Sequence, residues 1–88
     1  MKAGELSNGF KYEVDEHIFD DMRFLDALAE ADDGDPLAAS RMCKMLLGKE
    51  QKNVLYEMLE DGNGRVPIET TLMCIKEIME QLGDESKN

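Results

Sequence analysis

Apolar side chains recur at three- and four-residue steps through most of this 88-residue chain, and each run ends at glycine, proline or clustered aspartate. That period lines one face of an α-helix, so the chain is predicted to fold mainly as short helices packed on a shared core. The last run is the most regular. Ile68, Leu72, Ile75, Met79 and Leu82 alternate four- and three-residue steps between Pro67 and Gly83, which predicts a helix over 67–82 with Glu77 on its opposite face. A first helix is expected over 15–31, capped by Asp15, with Ile18, Met22, Leu25 and Ala29 as its inward stripe, widened by Phe19 and Leu28. Asp32-Asp33-Gly34 breaks that run. Asp35 and Pro36 then open a second helix, 36–47, which carries Leu37, Ala38, Met42, Met45 and Leu46 and is terminated by Gly48. A third helix, 49–60, shows Val54, Leu55, Met58 and Leu59 before the turn-forming Asp61-Gly62-Asn63-Gly64.

Only the first fourteen residues depart from the helical period. Phe10, Tyr12 and Val14 alternate with Lys11 and Glu13, and Asn8-Gly9 is a favoured tight-turn pair, so residues 1–14 are expected to form a hairpin. A lone two-stranded hairpin is marginal in water and must lay its aromatic face on the helices. The predicted architecture is therefore mainly α: a compact bundle of about four short helices with a small N-terminal β-hairpin. It forms a single domain over 1–83, followed by a disordered polar tail at 84–88.

Charge narrows the classes of partner. The net charge is −10 and is unevenly spread: residues 1–35 hold eleven acids against three bases, a net of −8, whereas residues 36–60 hold three acids against four bases, a net of +1. So acidic a chain repels phosphate backbones, which argues against nucleic acid as a partner; the charge reads either as a solvated face or as steering toward a basic partner. No apolar run reaches the ~18–20 residues of a membrane span, and the chain opens without a basic-then-apolar leader, so no membrane association and a cytoplasmic location are expected.

No catalytic machinery is legible. Twenty acids make chance carboxylate pairs inevitable, His17 is the only histidine and is expected to face solvent, and no nucleophile elbow or phosphate loop occurs. Cys43 and Cys74 fall on or beside predicted apolar helix faces and read as buried free thiols. Asp61-Gly62-Asn63-Gly64-Arg65-Val66 looks like the middle of an EF-hand calcium loop. Setting Gly64 at the obligatory glycine puts Leu59 and Thr70 at the first and twelfth positions, where carboxylates are needed, so a plain turn is expected and no metal or cofactor. Seven methionines remain. Most suit core filling, but the near-neutral second and third helices also suggest a pliable groove for a partner segment, with Met42, Met45, Leu46 and Met58 as the partner-binding candidates.

The order of elements resembles the small tail assembly chaperones of long-tailed bacteriophages and prophages, especially those of Gram-positive hosts. The resemblance spans nearly the whole chain. It rests on Gly9-Phe10-Lys11-Tyr12-Glu13-Val14-Asp15, on Phe24-Leu25-Asp26-Ala27-Leu28-Ala29-Glu30, on Asp33-Gly34-Asp35-Pro36, on Leu46-Leu47-Gly48 and on Gly64-Arg65-Val66-Pro67-Ile68-Glu69. It implies a non-catalytic protein that coats the long tape measure protein and brings tail tube subunits to it in the host cytoplasm, and that is absent from the finished virion. It also implies a longer frameshifted product, for which Ser86-Lys87-Asn88 is a codable slip site. Self-association into a homo-oligomer is left open. The alternative class is a small acidic interaction or regulatory module, either calcium-sensor-like with a degenerate loop or an inhibitor of a basic partner.

Overall fold

The computed structural model describes residues 1–86. In chain order it contains β1 (Lys2–Glu5), β2 (Lys11–Val14), a 3₁₀ segment (Glu16–Asp20), α1 (Met22–Asp32), α2 (Pro36–Leu59) and α3 (Ile68–Ser86). The molecule is mainly helical with an N-terminal antiparallel hairpin, and its described residues hold three α-helices where about four were expected. Lys87 and Asn88, the end of the expected tail and of the codable slip site, lie outside the described residues.

Strand alternation explains the hairpin. Tyr12 and Val14 point inward and are buried, while Lys11 and Glu13 point out. The register pairs Lys2 with Val14 and Gly4 with Tyr12. The loop between the strands is closed by Leu6 N donating to Phe10 O (2.8 Å) and by Asn8 Oδ1 accepting from Phe10 N (2.9 Å). Gly4 is required by contact: a Cβ there would run into the Tyr12 ring lying across β1.

The expected first helix is split. Asp15 caps only the 3₁₀ segment, accepting from His17 N (2.9 Å). Asp21 then adopts an extended conformation and caps α1, its Oδ1 accepting from Arg23 N (2.9 Å). The break resets the helical phase. Phe24 and Ala27 are buried, with Leu28 and Ala31 packed beside them, whereas Met22 is 67% exposed and the expected stripe through Leu25 and Ala29 faces outward. Phe19, from the 3₁₀ segment, meets Phe24 edge to face at 5.7 Å.

The expected second and third helices are one element with a joint. Asp35 caps α2 through Leu37 N (3.0 Å), and the helix runs to Leu59 through a non-helical Gly48 (φ 76°, ψ 168°). Glycine adopts that conformation without the strain a Cβ brings, so a single residue turns the chain at the position where one expected helix stops and the next begins. Gln51 stitches the joint. Its Nε2 donates to Leu47 O (2.7 Å) and to Glu13 O (2.8 Å), while its Oε1 accepts from Glu13 N (2.7 Å). One side-chain amide thus caps a carbonyl at the break and occupies part of the outer edge of β2.

The last helix passes through Gly83 and continues to Ser86, one turn beyond the expected stop. Its inward face is turned slightly from the predicted stripe. Thr71, Cys74, Ile75, Ile78 and Leu82 are buried, Leu72 and Met79 are half-buried, and Ile68 is exposed. Glu77, expected on the far side, faces the hairpin loop, where its carboxylate accepts from Ser7 N (2.9 Å) and Ser7 Oγ (3.0 Å). Gln81 accepts from the Tyr12 hydroxyl and donates to Glu5 O (3.1 Å). The hairpin is therefore wedged between α2 and α3. Its Phe10, Tyr12 and Val14 complete a core with Phe24, Leu46, Leu55, Ile75 and Ile78.

Candidate functional site

The four methionine-rich positions expected to bind a partner do not share a surface. Met42 and Leu46 are 3% and 5% exposed and belong to the core. Met45 is half-buried beside the Arg41–Glu30 ion pair that ties α2 to α1. Met58, 46% exposed, lies on the other limb of α2. Adaptable side chains fill gaps well, and here the face that carries Met42 and Leu46 is enclosed by its neighbours.

Two apolar depressions lie elsewhere. The first, of about 140 Å³, sits between the two limbs of α2 and the start of α3, lined by Pro36, Cys43, Tyr56, Val66, Ile68 and Leu72. Ile68 belongs to the first turn of α3 and stands more than half exposed on its rim. The Lys52 ammonium lies over the Tyr56 ring, 5.0 Å from its centroid. Burial pushes the Cys43 thiol above its usual range, outweighing the Lys52 charge and a hydrogen bond with the Tyr56 hydroxyl. Burial raises Cys74 too, with the Glu77 carboxylate adding to the shift. Both cysteines are therefore protonated at neutral pH and lack the thiolate character of an activated nucleophile.

The second depression is larger, about 730 Å³, and runs between the 3₁₀ segment, α1 and the C-terminal half of α3. Phe19, Leu28, Met79 and Leu82 supply its apolar surface, and Glu16 and Asp20 stand at its edge with His17 and Lys2. The Glu16 carboxyl is held below its usual range, first by its own backbone N–H and then by the amino group of Met1, 3.2 Å from Oε2. Asp20 Oδ2 lies 3.7 Å from His17 Nδ1, with both side chains largely in solvent. The local fold builds this groove directly. Asp21 ends the 3₁₀ segment and starts α1 at an angle to it, so Phe19 and Leu28 become neighbouring walls of one hollow.

The Asp61–Val66 loop has another occupation for its acid. Asp61 Oδ1 accepts from Asn63 N (2.8 Å) and Arg65 N (3.0 Å), and Asp61 N donates to Arg65 O (2.8 Å). The carboxylate holds its own turn together. Among the described residues, no group of three or more histidine, cysteine, aspartate or glutamate side chains is placed to hold a metal ion. Nor is any described helix long and apolar enough to cross a membrane.

The groove residues carried a weak signal in the sequence. Phe19 and Leu28 sit at the fringe of the predicted first stripe, and fringe positions of an amphipathic helix are where one element leaves apolar surface uncovered by the next. Comparisons of the chain with protein-family models, with curated proteins and with solved structures find no match.

Proposed function

We propose that this chain is a tail assembly chaperone of a long-tailed bacteriophage or prophage, which binds the tape measure protein and helps recruit tail tube subunits to it. The family part of this reading rests on the motifs that run from Gly9 through Glu69. The observation that carries the activity is apolar surface left unspent by the fold: Met22, Leu37, Val54, Ile68 and Met73 are each more than half exposed on a chain of net charge −10. A small acidic domain with exposed apolar side chains on each of its helices can cover a long, aggregation-prone helical partner and lend it charge. Action in the host cytoplasm and absence from the mature virion belong to the same proposal.

The test is co-expression with the long tape measure protein of the same phage or prophage. Soluble recovery of tape measure segments in complex with this chain supports the reading. Tape measure segments that stay insoluble with this chain present, or that are recovered equally without it, sink it. A second reading is favoured by the net of −8 over residues 1–35, namely an acidic module that inhibits a basic protein. Its partner would be a folded basic protein encoded nearby, and tight binding to that protein with no effect on the tape measure would select it. The calcium-sensor-like variant is not carried forward, because Asp61 is engaged by its own turn.

A further inference from the structure

We infer that the groove between the 3₁₀ segment, α1 and α3 is a docking site for a cationic amphipathic helix of a protein partner. The inference deepens the chaperone reading and rests on it for the role of the bound helix. Two independent features specify the occupant. The groove is walled by Phe19, Leu28, Met79 and Leu82, which together offer an apolar trough to a helix stripe. Its edge carries Glu16 and Asp20 together with His17 and Lys2, and it lies within the stretch of residues 1–35 where acids outnumber bases eleven to three, on a chain of net charge −10.

The edge acids are open to exchange partners. Among the described residues, Asp20 meets His17 across 3.7 Å in solvent, and Glu16 meets the exposed amino group of Met1. Exposed contacts of this kind contribute little to the fold, so a lysine or arginine flanking the bound stripe can replace them at small cost. An acidic helix would instead bring like charges together over the same trough. The other depression, beside Tyr56, is less than a quarter of the size, has no charged side chain in its lining and lies beside Lys52, so it lacks this preference.

The experiment uses the full chain and two synthetic amphipathic peptides of about 18 residues, or about five helical turns. One is built from leucine, alanine and lysine, and its twin has glutamate in place of every lysine. Fluorescence anisotropy is read at about 50 mM and about 500 mM NaCl, since the Debye length shortens several-fold between them. The lysine peptide should bind saturably, more weakly at high salt, and the glutamate twin should not. Glu16→Lys with Asp20→Lys should weaken binding at low salt by about tenfold or more. Glu50→Lys with Glu57→Lys, which changes the net charge equally on exposed positions of α2, should change it little. Met79→Gln should weaken binding at both salt concentrations.

The inference fails if the wild-type chain does not bind the lysine peptide, if the glutamate twin binds as well, or if the α2 pair weakens binding as much as the edge pair. Circular dichroism and melting of each variant separate lost binding from lost folding, and an edge pair that unfolds the chain is replaced by Glu16→Gln with Asp20→Asn. The two proposals fail separately. Peptide binding with no rescue of tape measure segments sinks the chaperone reading alone, whereas equal rescue by the wild-type chain and the edge variant sinks the groove alone.

Discussion

Gln51 shows how much of the fold can rest on one side chain that no periodicity marks. Its amide makes three hydrogen bonds that link the break in α2 to the outer edge of β2. Gln51→Ala should therefore cost about 1–3 kcal/mol in urea denaturation, because backbone groups of Glu13 and Leu47 lose their partners. Gln51→Glu should cost at least as much, since a carboxylate keeps the acceptor but has no donor for either carbonyl. Both variants at wild-type stability would mean that water replaces the amide without loss. The cysteines are the opposite case, legible from the sequence because their only signal was the apolar face they sit on. The folded chain raises both thiol values, so it binds protons more tightly than the unfolded chain. Their contribution to stability is complete below the usual 9.0 of a thiol and is lost as pH rises through the elevated folded values. Alkaline titration of the melting temperature should show a decline beginning near that point, reduced in a Cys43→Ala, Cys74→Ala variant corrected for its own baseline. At neutral pH both thiols should react with a disulfide reagent far more slowly than in the unfolded chain.

At the scale of the element, the helical period was legible and its phase was not. Ile18, Met22, Leu25 and Ala29 form one acceptable stripe, and Phe24, Ala27, Leu28 and Ala31 form another, displaced around the same helix. What decides between them is Asp21. By capping α1 afresh it detaches the 3₁₀ segment, and the aromatic pair Phe19–Phe24 then sets which face turns inward. Aspartates at both 20 and 21 hide the choice in the sequence, because either an interior helix position or a cap can hold one. The outcome is measurable. Phe24→Ala should cost about 3–5 kcal/mol, while Met22→Glu should stay within about 0.5 kcal/mol. Comparable losses at both positions would restore the continuous helix. Gly48 was recognised as a terminator for the right physical reason, its freedom at positive φ, and the helix resumes at once on its far side, as the expected start at 49 requires. Gly48→Ala should cost about 1–3 kcal/mol through the strain of a glycine-only backbone conformation alone, since nothing crowds the position. The groove was half legible: Phe19, Leu28, Met79 and Leu82 were expected to face the core and do pack there, but the uncovered parts of Phe19, Leu28 and Met79 follow from the break at Asp21.

For the whole molecule, one variable should pull folding and binding in opposite directions. Twenty acids against ten bases leave a net charge of −10 on a 9.9 kDa chain, and the first thirty-five residues hold most of the excess. Self-repulsion of that kind opposes compaction, and salt screens it once the Debye length falls below the spacing of the charges. The attractive pairs among the described residues, such as the Met1 amino group with Glu16 and Arg41 with Glu30, are exposed and contribute little in return. Raising NaCl from about 20 mM to about 500 mM should therefore stabilise the free domain, by about 1 kcal/mol if repulsion dominates, which for a domain of this size raises the melting temperature by about 4–8 °C. The same salt should weaken capture of a cationic helix at the groove, because there the acids attract. Charge kept for a partner is thus a cost in the free protein, and the two salt slopes should carry opposite signs. A melting temperature that falls with added salt would show that surface pairs outweigh the repulsion, and Glu16→Lys with Asp20→Lys should then destabilise the free chain where repulsion predicts a gain.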